Sequence, residues 1–463
     1  MEPRFRFQPR VFELERKFDW PGALWKLRGH RLPILLDSAA GEPRCASVLA
    51  FDPLPVEPQC RDRARSPAGL RELWSQLSPA SGDPVPGPFH GGLLCALAYD
   101  CGAAGERPVF SGPEPWGQPL FVGGLYVDFL VRDEVQARTW LVLGDGPLDG
   151  REPVAARFER IAAELRAPPR TGPAQSGAIR RHTNAPTHMA RIESLRQSIA
   201  RGDLYQANLA HRFSARASGD PQTWYGRLRA ANPAPYMGFV RWGAEDGFEP
   251  AGAILSASPE LFFEYADGVA RTRPIKGTIA RSADPRLDAA RAAELLASEK
   301  DLAELAMIVD LERNDLGRCA LPGGVRVEGW PTLKSYSKVH HLMADVVARL
   351  RPGLDAFDVF GALFPGGSIT GAPKLAAMDR IAALEGEGRG FFCGSLGFVD
   401  LRGNAAFNIL IRTFLWREDS GGELSFRVGG GITWSSKAQA EEHETLAKAE
   451  GMFAALGWSA GAS

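Results

Sequence analysis

The sequence is short of several things that would assign a function at once. Six cysteines occur in 463 residues, Cys45, Cys60, Cys95, Cys101, Cys319 and Cys393, with no CxxC spacing and no Cys/His cluster. That excludes a disulfide framework and a zinc site, and points to reduced thiols in the cytoplasm. Net charge is almost absent, with 54 Lys and Arg against 55 Asp and Glu. The electrostatic footprint of a nucleic-acid or anionic-membrane binder is therefore missing. No apolar run is long enough to cross a bilayer. The opening residues Met1-Glu2-Pro3-Arg4-Phe5-Arg6 lack the apolar stretch of a secretory signal, so none is expected. Internal repeats and low-complexity tails are also missing.

What is present is a chain too long for one ordinary core, so two lobes are expected. A stretch rich in Pro, Gly, Ser and Thr opens at Arg166-Ala167-Pro168-Pro169 and reads as a linker over 167–186. It separates a first lobe (1–166) from a second (187–455), with a tail at 456–463. Val154, Phe158, Ile161 and Leu165 recur at helical spacing before the linker, and Met189, Ile192, Leu195 and Ile199 do so after it. Apolar runs at 33–36, 92–99 and 121–127 read as strands of the first lobe. In the second, 253–265 and 269–276 read as strands, 286–313 as two helices, and 391–399, 404–416 and 424–432 as three consecutive strands. The expected fold class is α+β, two-lobed, with large, mainly antiparallel sheets flanked by helices.

Lys276 lies in Thr272-Arg273-Pro274-Ile275-Lys276-Gly277-Thr278. Pro274 restrains the backbone before the lysine, and Gly277 permits a turn or close approach after it. An amine fixed there and desolvated can act as nucleophile or base. Glu260, in Ser258-Pro259-Glu260-Leu261-Phe262-Phe263, reads either as a solvated turn carboxylate or as a general acid with a pKa raised beside the two phenylalanines. Glu304 sits on the apolar run 302–309, either outward or buried with a cation. Glu441 and Glu444 share a face if their segment is helical. Carboxylates converging from distant helices suit Mg²⁺, whereas a solvated helix start is the simpler reading of the last segment. Arg412, in the apolar run 407–415, needs a partner, either a substrate carboxylate or a structural ion pair. His341 reads as a hydrogen-bonded core histidine. Two glycine-rich loops, Phe364 to Lys374 and Val428 to Ile432, could bring backbone N–H groups to an anion or form a bulge or tight turn. The first lacks the Gly-Lys-Ser/Thr ending of a nucleotide phosphate loop, which excludes ATP on that basis.

Six segments, in this order, resemble the chorismate-utilising enzymes: Gly202-Asp203-Leu204-Tyr205-Gln206-Ala207-Asn208-Leu209, Ser258-Pro259-Glu260, Pro274 to Thr278, Asp310-Leu311-Glu312-Arg313-Asn314-Asp315, and the 364–374 and 428–432 loops. That family joins the large subunits of anthranilate and aminodeoxychorismate synthases with isochorismate and salicylate synthases. The resemblance spans roughly 187–455, and the first lobe is similar to the looser N-terminal region of anthranilate synthase component I-like proteins. It implies that Lys276 attacks chorismate at C2 and that Glu260 protonates the departing hydroxyl. It implies Glu304 and Glu444 as Mg²⁺ ligands. Arg412, Lys448 and the Gly429, Gly430 and Gly431 backbone would hold substrate carboxylates, with Thr278, Thr370 and His341 lining the ring. Lysine at 276, where anthranilate synthases carry alanine, implies the aminodeoxychorismate branch, in 4-aminobenzoate and folate synthesis. Ser38 could belong to a tryptophan pocket that some members have, but Ala39 to Ser47 departs from that pattern. With no Gly-x-Cys-x-Gly elbow in the chain, a separate glutamine amidotransferase subunit is the expected ammonia source. No pyruvate-eliminating lyase is expected, so aminodeoxychorismate would be released. Anthranilate synthesis and a non-catalytic chorismate-binding homologue are the alternatives.

Overall fold

The apolar runs become strands of two large sheets, and the strands do not sort by position along the chain. A computed structural model describes residues 3–14, 19–39, 46–104, 112–145, 150–168, 172–336, 339–418 and 421–458. Cys45 and most of the 456–463 tail lie outside them. The other five cysteines are buried free thiols.

The larger sheet has 13 strands and runs from Gly371–Ala372 through Gln206–Arg216, Glu423–Ile432, Thr413–Arg417, Gly252–Ser258 and Tyr236–Trp242. It continues through Ile34–Asp37 and Ala46–Ala50 to Phe5–Leu14 and Leu77–Pro79. The smaller sheet has nine strands and runs from Ile275–Ala280 and Val339–Leu350 through Leu261–Ala266 to Gly92–Leu97 and Phe121–Tyr126. Among the described residues only Phe5–Leu14 with Leu77–Pro79 is a parallel pair. The fold is thus α+β with mainly antiparallel sheets. Each sheet takes strands from both sides of 167–186, since Ile34–Asp37 pairs with Tyr236–Trp242 and Gly92–Leu97 with Ser395–Asp400. Within 167–186, Arg180–Arg181 pairs with Gln206–Arg216, and the Ala185–Ala200 helix has already begun.

Two strands cross from one sheet to the other, and this corrects the sequence reading. The run 253–265 is Gly252–Ser258 in the larger sheet and Leu261–Ala266 in the smaller, broken at Pro259-Glu260. The run 404–416 is likewise Ala405–Asn408 in the smaller and Thr413–Arg417 in the larger. Arg412 is therefore not mid-strand. It lies in the second break with φ +51°, a left-handed conformation unusual for a side-chain-bearing residue. The two breaks are stitched together: Ile409 N donates to Glu260 O at 3.1 Å, and Ser258 Oγ to Ile409 O at 2.6 Å. The strand expected at 391–399 begins only at Ser395, after a turn in which Cys393 has φ +64°.

Behind the crossing, Phe262, Phe263, Phe360, Phe364 and Phe407 pack ring on ring, at 5.3–5.6 Å for the pairs from Phe262 to Phe263 and Phe360. Burying each ring is worth about 2–3 kcal/mol, and together they fix where the sheets exchange strands. Two helices cover the front. Glu299–Gly317 is capped by the Ser298 side chain, which accepts from Asp301 N. Ala438–Ala455 lies against Glu423–Ile432.

Candidate active site

The lysine is aimed by a bulge. Ile275–Ala280 pairs with Val339–Leu350, and the register shifts between Lys276 and Thr278. Gly277 absorbs the shift at φ +74°, and a Cβ there would stand 3.0 Å from both Asp301 Cβ and Leu295 Cδ1. Position 277 therefore demands glycine on two counts. The half-buried Lys276 side chain reaches across to the larger sheet, where a Cβ on Gly431 would lie 3.4 Å from its Nζ. Burial pushes its pKa below the ordinary lysine value. Glu304 opposes that shift, Lys448 adds to it, and Glu260 and Glu444 oppose it more weakly. Desolvation of this kind favours the neutral amine over the ammonium.

Glu260 sits at the strand crossing, 5% exposed. The solvated-turn reading is thereby overturned. Burial raises its pKa, while the adjacent Ser368 hydroxyl, Lys276 and Arg412 hold the rise down. Glu260 Oε1 and Ser368 Oγ are both buried without a hydrogen-bond partner of standard geometry. The Arg412 guanidinium makes no ion pair or hydrogen bond among the described residues, so the structural-ion-pair reading fails. Burial lowers its pKa and Glu260 counters that. His341 is buried, with Nδ1 2.7 Å from Thr278 Oγ1. Burial and then Arg412 lower its pKa to about 4, which keeps the imidazole neutral at physiological pH.

Opposite the lysine, Glu304 and Glu444 face each other from the two front helices. Burial raises the Glu304 carboxyl, Lys276 and Lys300 oppose this, and the Glu444 charge adds to it. Burial also raises Glu444, but Lys448 at 2.8 Å, with Lys300 and Lys276, brings it below the ordinary value. Lys300 lies 3.8 Å from Glu304. Two hard carboxylates that repel each other and are balanced by lysine side chains are a donor set suited to Mg²⁺. Glu441, on the same helix, is buried and accepts from Ser436 Oγ at 2.7 Å. With Glu442 also buried, the start of this helix is not a solvated charged face.

The 428–432 glycines form no loop. They lie inside Glu423–Ile432 in unbroken register with Gln206–Arg216, Gly431 opposite Asn208 and Gly429 opposite Ala210. On the other edge, pairing with Thr413–Arg417 stops at Phe426, which leaves backbone groups available. The glycines keep space clear: a Cβ on Gly430 would stand 3.2 Å from Glu441 Oε2, and one on Gly431 2.9 Å from Gln206 Nε2. Lys448 Nζ donates to Gly429 O at 3.4 Å. In the 364–374 loop, Thr370 Oγ1 donates to Gly366 O at 2.8 Å, so this hydroxyl braces the turn. Lys374 is paired with Asp315 at 2.7 Å rather than free to meet a phosphate.

Lys276, Glu260, Glu304, Glu444, Arg412, Lys448, His341, Thr278 and the three glycines thus gather around one front, where sheet crossing and helices meet. Ser38 does not join them. It follows Ile34–Asp37, with its Oγ donating to Ala46 O at 3.1 Å. Sequence reasoning assigned no role to Gln206, which is wholly buried with both amide atoms unpartnered, nor to Ser368. Their burial depends on strands distant in sequence. Glu312, quoted in the sequence only as part of a motif, is buried as well and accepts from Thr272 Oγ1. Among the described residues one group of three donors, His188, His211 and Glu442, is compact enough for a metal. Arg181 already bonds Glu442 at 2.7 Å and His211 at 3.2 Å, so that cluster is filled by a cation of the chain itself.

Residues 46–454 match the family model described as chorismate binding enzyme. Aminodeoxychorismate synthase component 1 of Klebsiella aerogenes is 38% identical over 383 residues, 82% of this chain and 81% of that one. Anthranilate synthase component 1 of Streptomyces coelicolor is 36% identical over 427 residues, 89% of this chain and 80% of the other. The crystal structure of anthranilate synthase component I from Streptococcus pneumoniae superposes with a TM-score of 0.74 at 28% identity, covering 89% of this chain and 93% of that one.

Proposed function

The chain belongs to the chorismate-binding enzyme family, and we propose that within it this protein aminates chorismate at C4 to 4-amino-4-deoxychorismate. The observation that carries the reading is the half-buried Lys276 amine, depressed in pKa, between the buried acid Glu260 and the carboxylates of Glu304 and Glu444. Nζ bonds to C2 as the ring double bond shifts and the C4–O bond breaks. Glu260 gives its proton to the hydroxyl, which leaves as water. Ammonia then bonds to C4, the double bond shifts back, and the C2–Nζ bond breaks to restore the free amine. The new C4 nitrogen returns one proton to Glu260.

The open strand edge at Gly429, Gly430 and Gly431, with Lys448 and the unpaired Arg412, supplies donors for the two substrate carboxylates. His341, neutral and bound to Thr278, offers a ring contact without added charge. Glu304 and Glu444 would hold Mg²⁺, which when bound neutralises carboxylate charge near the reacting ring. A glutamine amidotransferase subunit is the proposed ammonia source, in keeping with relatives named component 1. The product fits the 4-aminobenzoate branch of folate synthesis, in the cytoplasm.

The test is product identity. Protein incubated with chorismate, Mg²⁺ and ammonium should give aminodeoxychorismate by mass spectrometry, and a chelator should abolish the reaction until Mg²⁺ is restored. Fluorescent anthranilate appearing without an added lyase would overturn the proposal in favour of the rival synthase. Glutamine should replace ammonium only when an amidotransferase subunit is added.

A further inference from the structure

Glu442 lies on the Ala438–Ala455 helix beside the carboxylates assigned to the metal, and the reaction as described leaves it unused. Glu441, Glu444 and Lys448 fall on one side of this helix. Glu442, Thr445, Ala449 and Met452 fall on the next, about 90° round the axis, and all four are buried. Glu442 is thus a charge at the head of an otherwise uncharged stripe. Arg181 meets it with both terminal nitrogens, Nη1 2.7 Å from Oε1 and Nη2 donating to Oε2 at 2.9 Å. His188 Nδ1 stands 2.6 Å from Oε2, and the His188 ring stacks on His211 with centroids 4.2 Å apart. Thr445 Oγ1 donates to Glu442 O, so His211 Nε2 donates to the Thr445 oxygen, at 3.2 Å. His211 Nδ1 then accepts from Arg181 Nη2 at 3.2 Å. Both histidines are buried. The cluster therefore joins the helix to the Arg180–Arg181 strand, the Ala185–Ala200 helix and the Gln206–Arg216 strand. That last strand also pairs with Gly429, Gly430 and Gly431.

We propose that Glu442 is a positioning residue: gripped by Arg181 and His188, it fixes the rotation of the Ala438–Ala455 helix so that Glu444 is presented to a divalent cation beside Glu304. The proposal rests on the metal role given to Glu304 and Glu444 above. Glu442 touches neither substrate nor cation and acts through Glu444, two residues on. The rest of the stripe does little to set the angle, because burial of Ala449 and Met452 is non-directional, whereas a two-pronged guanidinium–carboxylate pair is directional. Nor does the start of the helix set it, since Lys437 at the N-cap makes no side-chain bond. The tolerance is small. Turning the helix by about 20° carries a carboxylate at a radius of about 5–6 Å through roughly 2 Å, as far as a Mg²⁺–oxygen bond is long.

Glu442→Gln and Arg181→Gln test the pair from its two sides. The readout without turnover is Mn²⁺ binding to the free enzyme, followed by electron paramagnetic resonance. Both variants should raise the Mn²⁺ Kd roughly tenfold or more. The Mg²⁺ concentration for half-maximal turnover should rise by the same factor, with kcat restored as Mg²⁺ is raised. A purely structural cluster would lower Tm and the active fraction but leave the Mn²⁺ Kd where it was, so folded variants with the wild-type Kd overturn the proposal. Should Glu442→Gln fail to fold, Arg181→Gln gives the same readings, because that side chain is only partly buried. Glu444→Gln separates the positioning role from the metal reading beneath it. If wild type binds no Mn²⁺, or Glu444→Gln binds it as well as wild type, the metal role fails and the proposal falls with it. If Glu444→Gln loses Mn²⁺ while Glu442→Gln and Arg181→Gln keep it, the positioning role alone is overturned.

Discussion

The two flanks of the site use the same residue type under different balances of burial and charge. On the helix flank, Glu304 and Glu444 stand among Lys276, Lys300 and Lys448, and the Glu444 side chain is 46% exposed. There the lysines bring Glu444 below the ordinary carboxylate range, whereas burial leaves Glu304 raised. On the crossing flank, Glu260 and Glu312 are both buried, and burial lifts both. In the proposed mechanism one flank offers anions to a cation and the other offers a proton. Lys276 spans the two, with its pKa lowered by burial although three carboxylates oppose the shift.

Substitution should separate the flanks. Lys276→Ala should have the largest effect, a loss of turnover of roughly 10³-fold or more, measured by mass spectrometry. An alanine variant that still forms aminodeoxychorismate at the wild-type rate would remove the covalent role. Glu260→Gln should cost roughly 10²- to 10⁴-fold in kcat with the Mg²⁺ requirement unchanged. A shift in that requirement would mean the flanks are not independent.

Protonation should break the closed flank. His341 has a folded pKa of about 4, set first by burial and then by Arg412, below the ordinary 6.5. The unfolded chain therefore binds the proton more readily. Stability should be full above pH 6.5 and fall as pH drops from 6.5 towards 4, by on the order of 3 kcal/mol from this residue. Urea titrations at stepped pH would measure it, and His341→Gln should shallow the slope. The smallest effect should come from Gly277→Ala, which forces a side chain into a left-handed conformation against Asp301 and Leu295. A cost of about 1–2 kcal/mol is expected, read as a lowered Tm. A shifted alkaline limb in the pH–rate profile would indicate that Lys276 had been re-aimed.

How much of this was legible in the sequence depended on range. The two helices expected over 286–313 from apolar spacing are there, at 285–296 and 299–317. Strand existence was legible from apolar runs, but strand interruption was not. Nothing between Ala405 and Leu415 says where the chain leaves one sheet for the other, because the break at Ile409 to Arg412 is fixed by hydrogen bonds to Ser258 and Glu260, about 150 residues away in the chain. The glycines at 429–431 looked like a loop for a related reason. Their spacing signals turns locally, whereas the facing side chains of Gln206, Glu441 and Lys276 are what require them to be bare.

The sequence by itself determined the family, the α+β class and the residue types able to do the chemistry, since ordered motifs and periodicity are properties of the chain alone. Only the tertiary structure decided which carboxyls burial raises and which neighbouring lysines hold down, and that one loop threonine braces its own turn. It also turned Arg412 from a strand residue into an unpaired cation at a sheet crossing. Ionisation depends on dielectric and on neighbouring charge. Both are set by which distant strands and helices meet, and no local window of sequence contains them.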